Sequence, residues 1–398
     1  MPITPRPSHL VRVVAVLGVA LLGLVFNIES AVSSRATPMC DVIVAAGGDI
    51  GAVVDAQPVG TSICISSGAY ALDNTIQPKT SQKIIGLGPD RPVIDCGAVR
   101  LCFDGNLGSG VLLRGLILDG ARNGDVRTGH SWVLDGIEAR NAWSTGIQVR
   151  GSNVHITNSR AHDNGALGIS ASFATDVALV ANEVARNGTN PRSRRERSGG
   201  IKMNGVVGLI VRGNSVHDNG GGAGIWLDTE SQNFQIVGNR AFDNAGDQIR
   251  IEISCYGSVR DNVVSSGGTS TAVDIFNAHD VRIAFNHVKV RAGGLFGIRM
   301  FGSGRTATPG PGACLIGGSF RNANNRAVSN VVIATHPVTS NGIVNAGGLA
   351  LSNSWSHNVY DVRDCSAHRW AWWSGGVMRF LDFSGWRAVG QDSTGSCR

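Results

Sequence analysis

Lysine is almost missing from this chain: Lys79, Lys83, Lys202 and Lys289 are the only four among 35 basic residues. Charged residues make up just 16% of the sequence, which argues against a helical protein solubilised by Glu and Lys on its exposed faces. Aromatic residues are also scarce and are not interleaved with basic clusters, so no nucleic-acid partner is expected. No Cys-x-x-Cys or His-x-x-x-His spacing offers zinc a ligand set. The spaced leucines of leucine-rich repeats are absent as well. The one long apolar run, Val13 to Phe26, falls short of the roughly 20 residues that a membrane span prefers.

That run follows Arg6, His9 and Arg12 and precedes the small residues Ala31-Val32-Ser33. Residues 1–33 therefore read as an export signal, with cleavage favoured over an uncleaved anchor. Membrane contact would arise only through this segment if it stayed attached. A secreted or cell-surface location follows, and eight cysteines, an even set, suit it through disulfides. Proximity alone suggests Cys40 with Cys64, Cys96 with Cys102, and Cys365 with Cys397, leaving Cys255 and Cys314 over. Eight cysteines allow about 105 connectivities, so proximity does not decide among them.

Glycine is abundant, at 54 residues, and a phrase recurs: a short Val/Ile strand, a turn with Gly or Asn, polar residues ending in Asn, then Gly-Ile and another strand. It appears as VLLRG, WVLDG, VHITN, VALVAN, LIVRGN, FQIVGN, SVRDN and VRIAFN, at intervals of 21 to 32 residues. The longest interval holds Asn190 to Arg197, an inserted arginine-rich loop. Strands this short cannot bury an apolar face alone, but stacked coils share a continuous core. The expected fold is all-β, a right-handed parallel β-helix over 83–350. Residues 34–82 supply an N-terminal cap and first strands, with a short helix capped by Asp49. Residues 351–398 form an aromatic tail packing on or capping the helix. A monomer is expected.

The repeats align two asparagine columns, read as structural amide ladders. One holds Asn158, Asn182, Asn214, Asn239, Asn262 and Asn286, and the other Asn141, Asn164, Asn187, Asn219 and Asn244. Overlaying the Gly-Ile strands gives two outward columns. These are Gln148, Ser170, Lys202, Trp226, Arg250 and Asp274, and Arg150, Ser172, Asn204, Asp228, Glu252 and Phe276. Asp228 and Glu252 are thus expected to be near neighbours, with Lys202, Arg250 and Asp274 close by. Such a cluster is either a solvated ion-pair ladder or a ligand site. The arginine insertion and Trp226 on the same coils favour the site. The phrases His162-Asp163-Asn164 and His217-Asp218-Asn219 read as turns, because the next coil has Phe242 in the same place.

At GGIK (199–202), NSVHDNGGGAGIWLD (214–228), NRAFDN (239–244), IRIEIS (249–254) and WRAVGQD (386–392) the chain resembles exported β-helix repeat proteins of the pectin-lyase-like superfamily. The resemblance implies the fold and a carbohydrate-active face, and it carries over Lys202, Asp228 and Glu252 as polar positions. It does not name a reaction: the Asp-Pro-His-Glu of alginate epimerases, the Gly-His-Gly of polygalacturonases and the Arg-x-Pro-x-x-Arg of pectate lyases are missing.

Three functions are compatible with these residues. The first is a lyase or epimerase acting on an anionic, uronic-acid polysaccharide. Lys202 would be the base and Arg250 the charge stabiliser, while Asp228 and Glu252 would orient sugar or hold a calcium ion. Trp226, Asp274, Asn204, Arg194 and Arg195 would bind substrate. The second is a glycoside hydrolase using Asp228 and Glu252. The third is a non-catalytic carbohydrate-binding surface. No motif demands a cofactor.

Overall fold

A computed structural model describes residues 39–306, 310–334, 344–348, 350–374 and 376–398; the expected export signal at 1–33 lies outside them. The chain winds through three long sheets, so each coil contributes one short strand to each sheet. The first sheet has 15 strands, the second 13 and the third 12, and neighbours pair in parallel until a terminal antiparallel hairpin. The strands alternate as the sequence pattern requires. In Ile225–Asp228, Ile225 and Leu227 are fully buried, while Trp226 and Asp228 are half-exposed on the outer face. Inward Val, Ile and Leu from successive coils merge into one core running from Val44 to Trp386.

Both ends are closed. Near the N-terminus the helix Ile50–Ala56 is capped by the Asp49 carboxylate, which accepts the Ala52 N–H, and it buries Ile50 and Val54. Strands enter the first sheet well before residue 83, at Val42–Val44 and Ser62–Ile65. The sheets also run past residue 350: Val359–Val362 extends the second and Trp370–Ser374 the third. Val377–Leu381 then folds antiparallel onto that last strand and covers its edge. Trp355, Trp370 and Trp386 are buried; Trp370 packs on Tyr360 and Trp355 on Trp386, and the Tyr360 hydroxyl donates to Asp392 at 2.5 Å.

The asparagine columns are ladders of buried amides. From Asn182 through Asn214, Asn239, Asn262, Asn286, Asn330 and Asn358, each side-chain NH2 donates to the amide oxygen one coil on, at 2.9–3.0 Å. The ladder ends on Asp392. A parallel ladder climbs from Asn164 through Asn187, Asn219 and Asn244 to Gln248. Asn158 and Asn141 do not belong to these columns. Both are exposed with left-handed φ, of 51° and 58°, and the ladder places fall to their neighbours Ser159 and Ala142. Asparagine suits both the left-handed turn residue and the buried rung after it, so alignment alone cannot separate the two.

All eight cysteines pair: Cys40–Cys64, Cys96–Cys102, Cys365–Cys397 and, across 59 residues, Cys255–Cys314. The last pair fastens a second insertion, described at 303–306 and 310–321, which the repeat spacing does not reveal. Buried Glu230 helps to seat it by accepting the N–H groups of Gly312 and Cys314 at 3.1 and 3.2 Å.

Asn239→Ala should remove an interior rung and strand buried partners on two neighbouring coils, a loss of about 2–4 kcal/mol. The exposed turn change Asn158→Gly should cost well under half of that. Chemical denaturation of both variants checks this; equal losses would mean that the ladder does not hold the coils.

Candidate functional site

The outer face of the third sheet carries the charged column, in the register that strand alternation dictates. Ser170, Lys202, Trp226, Arg250, Asp274 and Arg299 pair in succession up the coils. The Lys202 ammonium lies 3.5 Å from the centre of the Trp226 ring and 3.1 Å from Asp228 Oδ2, and it donates to the Glu196 carbonyl at 2.9 Å. Lys202 is 7% exposed, because the arginine-rich loop folds over it. This loop carries a short 3-10 turn, Arg195–Arg197, whose backbone supplies that carbonyl.

Higher in the column the charges lock together. Arg250 donates to Glu252 at 3.0 Å and Asp247 at 3.1 Å, and it sits 3.3 Å from Asp274. Arg299 grips both oxygens of Asp274 at 2.7 and 2.8 Å. Burial by itself would lower the Arg250 pKa, but Asp274, Glu252 and Asp247 together raise it above the ordinary arginine value. Asp247 moves the other way from a typical paired carboxylate. Burial raises its pKa, repulsion from Asp274 adds to this, and Arg299 and Arg250 only partly offset them.

Two adjoining cavities lie on this face. The larger, about 740 Å³, is lined by residues that include Ser170, Phe173, Arg194, Lys202, Asn204 and Asp228. The smaller, about 500 Å³, is lined by residues that include Arg195, Trp226, Asp247, Arg250, Glu252 and Arg305. Glu196, Lys202 and Asp228 line both. Apart from Arg305, the lining runs from Ser144 to Glu252, across coils spaced about 4.8 Å apart, so the groove lies along the helix axis.

Eight of the nine residues singled out in the sequence meet in this groove. Asp274 does not: it is fully buried beneath Arg250 and Arg299 and lines neither cavity. Asp228 and Glu252 share the smaller cavity, but each has its own cation, Lys202 for the first and Arg250 for the second. Three residues of the charged cluster were missed, of which Asp247 and Arg305 line the groove and Arg299 does not. Arg299 sits in Gly297-Ile298-Arg299, a further copy of the Gly-Ile phrase, and could have been aligned. Asp247 immediately precedes the strand of Arg250. Arg305 reaches Glu252 at 3.7 Å from the second insertion and leaves no periodic trace.

Among the described residues metal binding is poorly served. Cys255, His279 and Cys314 converge, but the two sulfurs are bonded to each other and offer no thiolate. Calcium asks for several uncommitted oxygens, whereas Asp228, Glu252, Asp247 and Asp274 all face ammonium or guanidinium groups. The two His-Asp phrases lie on the second sheet, away from the groove. His162 bonds Asp163 at 2.6 Å, and His217 bonds Asp218 at 2.7 Å while stacking on Phe242.

Residues 125–288 match the family model described as a right handed beta helix region. Among solved structures, the chain is similar to the A-module of mannuronan C-5 epimerase AlgE4 from Azotobacter vinelandii. That likeness has 17% identity and a TM-score of 0.59, covering 79% of this chain and 95% of that one. The periplasmic alginate epimerase AlgG is similar at 14% identity and TM-score 0.53, with 81% and 83% covered. XylC, solved in complex with xylose, is similar at 11% and 0.57, with 81% and 84% covered. At these identities the likeness is one of fold. No curated protein matches the chain in sequence.

Asp247 holds its proton more tightly in the folded chain than in the unfolded one. Its stabilising contribution is therefore full below the ordinary value of 3.8 and is lost as pH rises through the raised folded value. Asp247→Asn removes that titration. Its unfolding free energy minus that of wild type should increase with pH across this window, and a flat difference would count against the assignment.

Proposed function

We propose that this right-handed parallel β-helix protein acts outside the cytoplasm on an acidic, uronic-acid polysaccharide, as a lyase or epimerase. Four disulfides suit an oxidising compartment. Among the described residues no helix is long and apolar enough to cross a membrane. The observation that carries the reading is the axial groove with Lys202 and Asp228 at the junction of its two cavities. Arginines rim it from both insertions, Arg192 to Arg197 on one and Arg305 on the other. A polymer with a carboxylate on successive sugars fits that rim, and the alginate epimerases among the similar structures act on such a polymer.

Abstraction of the proton beside a sugar carboxylate needs a cation to hold the carboxylate, an acceptor and a donor. Arg195 and Arg305 supply the cations. Asp228 accepts the ring proton and Lys202, 3.1 Å away, donates one. In elimination, the C–H electron pair becomes the C=C bond, the bond to the glycosidic oxygen breaks, and that oxygen takes the donated proton. In epimerisation Asp228 keeps the proton it took, and the carbon takes another, donated by Lys202, on the opposite face. Lys202 as the base is less well supported, because its ammonium already donates to Asp228 and to the Glu196 carbonyl. Hydrolysis by Asp228 with Glu252 is less well supported because one of the two carboxyl groups would have to donate the proton to the leaving oxygen, and each is paired with a cation instead.

Incubation of the purified chain with polymannuronate, polygalacturonate and neutral polysaccharides tests this. Expected is an ultraviolet-absorbing unsaturated product, or an inverted ring carbon seen by NMR without new chain ends. Asp228→Asn and Lys202→Ala should each lower the rate by about 10²-fold or more, and Glu252→Gln by less. Reducing ends without unsaturation would make the protein a hydrolase; binding without turnover would make it a lectin-like surface.

A further inference from the structure

A second concave feature lies outside the groove, on the corner between the second and third sheets. Its centre is Trp143, whose exposure of 58% is the largest for a tryptophan among the described residues; Trp132, Trp355, Trp370 and Trp386 are buried. An indole left in water on a rigid coil has an unused face. Cavities of about 440 and 460 Å³ open on either side of it, with Asn141 lining both.

The chain keeps this space open. The Trp143 backbone N–H donates to the Ala121 carbonyl on the preceding coil, and Gly165 takes the matching place on the following one, its backbone N–H donating to the Ala142 carbonyl. A Cβ on Gly165 would lie 2.0 Å from the Trp143 carbonyl oxygen, so no side chain can fill the floor there. Gly188 and Gly220 continue the same position on later coils. The trough beside the indole is therefore floored by backbone.

Polar groups converge on it. Asn141 donates its amide N–H to Asp119 at 2.8 Å, leaving its amide oxygen as an acceptor. The Asp163 carboxylate is gripped by Arg186 and by His162, which together hold it below the usual aspartate range although burial pulls the other way. Arg122 and Arg192 bring two cations, and the Arg192 guanidinium has no carboxylate partner among the described residues. A flat aromatic face ringed by a few acceptors and cations suits a pyranose ring bearing a carboxylate.

We propose that Trp143 is the platform of a distal subsite for an acidic sugar residue of the same polysaccharide. This rests on the reading of the groove as a polysaccharide site. Two continuities support it. Ser144 and Thr145, which follow Trp143 in the chain, line the near end of the groove, and Arg192 lines both the groove and the Trp143 trough. The arginine-rich loop thus lies between the two, with Pro191 and Arg192 towards Trp143 and Arg194 to Arg197 towards Lys202. A chain leaving the groove at Ser144 crosses Arg192 and meets the indole.

Affinity electrophoresis in polymannuronate and polygalacturonate, with wild type, Trp143→Ala, Trp143→Phe and the double variant Arg195→Ala/Arg305→Ala, decides this. Trp143→Ala should bind the polymer about tenfold more weakly while binding a uronic trisaccharide as wild type does, and Trp143→Phe should recover most of the loss. A folded Trp143→Ala that binds polymer like wild type overturns the subsite. Polymer binding that survives the double arginine change but falls in Trp143→Ala leaves the subsite standing and removes the groove reading. The opposite pattern does the reverse, and a wild-type chain that binds neither polymer overturns both.

Discussion

No coil of this protein has a core of its own. Its valines and isoleucines are buried only because another coil lies about 4.8 Å above and below. Everything else depends on keeping those coils in step, and a slip of one residue would turn each inward side chain to solvent. Parallel strands of two to six residues provide few backbone hydrogen bonds each, so the step is fixed elsewhere as well. The buried asparagine ladders do this: each amide satisfies the coil before it and the coil after it, and no rung can shift alone.

The same spacing dictates the electrostatics of the outer face. Side chains in one column stand a single strand apart, and like charges at that distance repel. The third sheet answers by ordering its column as Lys202, Trp226, Arg250, Asp274 and Arg299, with an indole between two cations and a carboxylate between two guanidiniums. Asp274 is consumed in this arrangement, and its field reaches Asp247, which burial has already made a reluctant anion. The upper column is thus taken up by its own ion pairs, while the Lys202–Asp228 pair below it lines the groove.

A bare β-helix face is too flat to enclose a ligand. Two insertions change that, and both are fastened to the solenoid. The Arg195–Arg197 turn hands a carbonyl to Lys202, and the second insertion is held at Gly312 and Cys314 by the Cys255–Cys314 bond and by Glu230. Loops that wall a site are usually its most mobile part; here each is tied to a coil that carries the charges it covers. The arginine-rich loop faces two ways, which links the groove to the trough at Trp143.

The period of the repeat, the inward alternation and the outward register of Gln148, Ser170, Lys202, Trp226, Arg250 and Asp274 were all legible in the sequence. Each follows from strand geometry and from apolar residues having one place to go. Three of the disulfides were readable as neighbours for a similar reason, since short loops bring their ends together cheaply. What lies off the period was not legible. Asn141 and Asn158 were placed in ladders although they occupy turns, because one residue type serves both adjacent positions. The pairing of Cys255 with Cys314, the approach of Arg305 to Glu252 and the withdrawal of Asp274 into the sheet depend on how an aperiodic insertion lands and which carboxylate each guanidinium takes. Those choices are made by packing and charge in three dimensions, between residues that no local pattern connects. The sequence by itself thus determined the coil and the column, and the tertiary structure decided which members of the column line the groove.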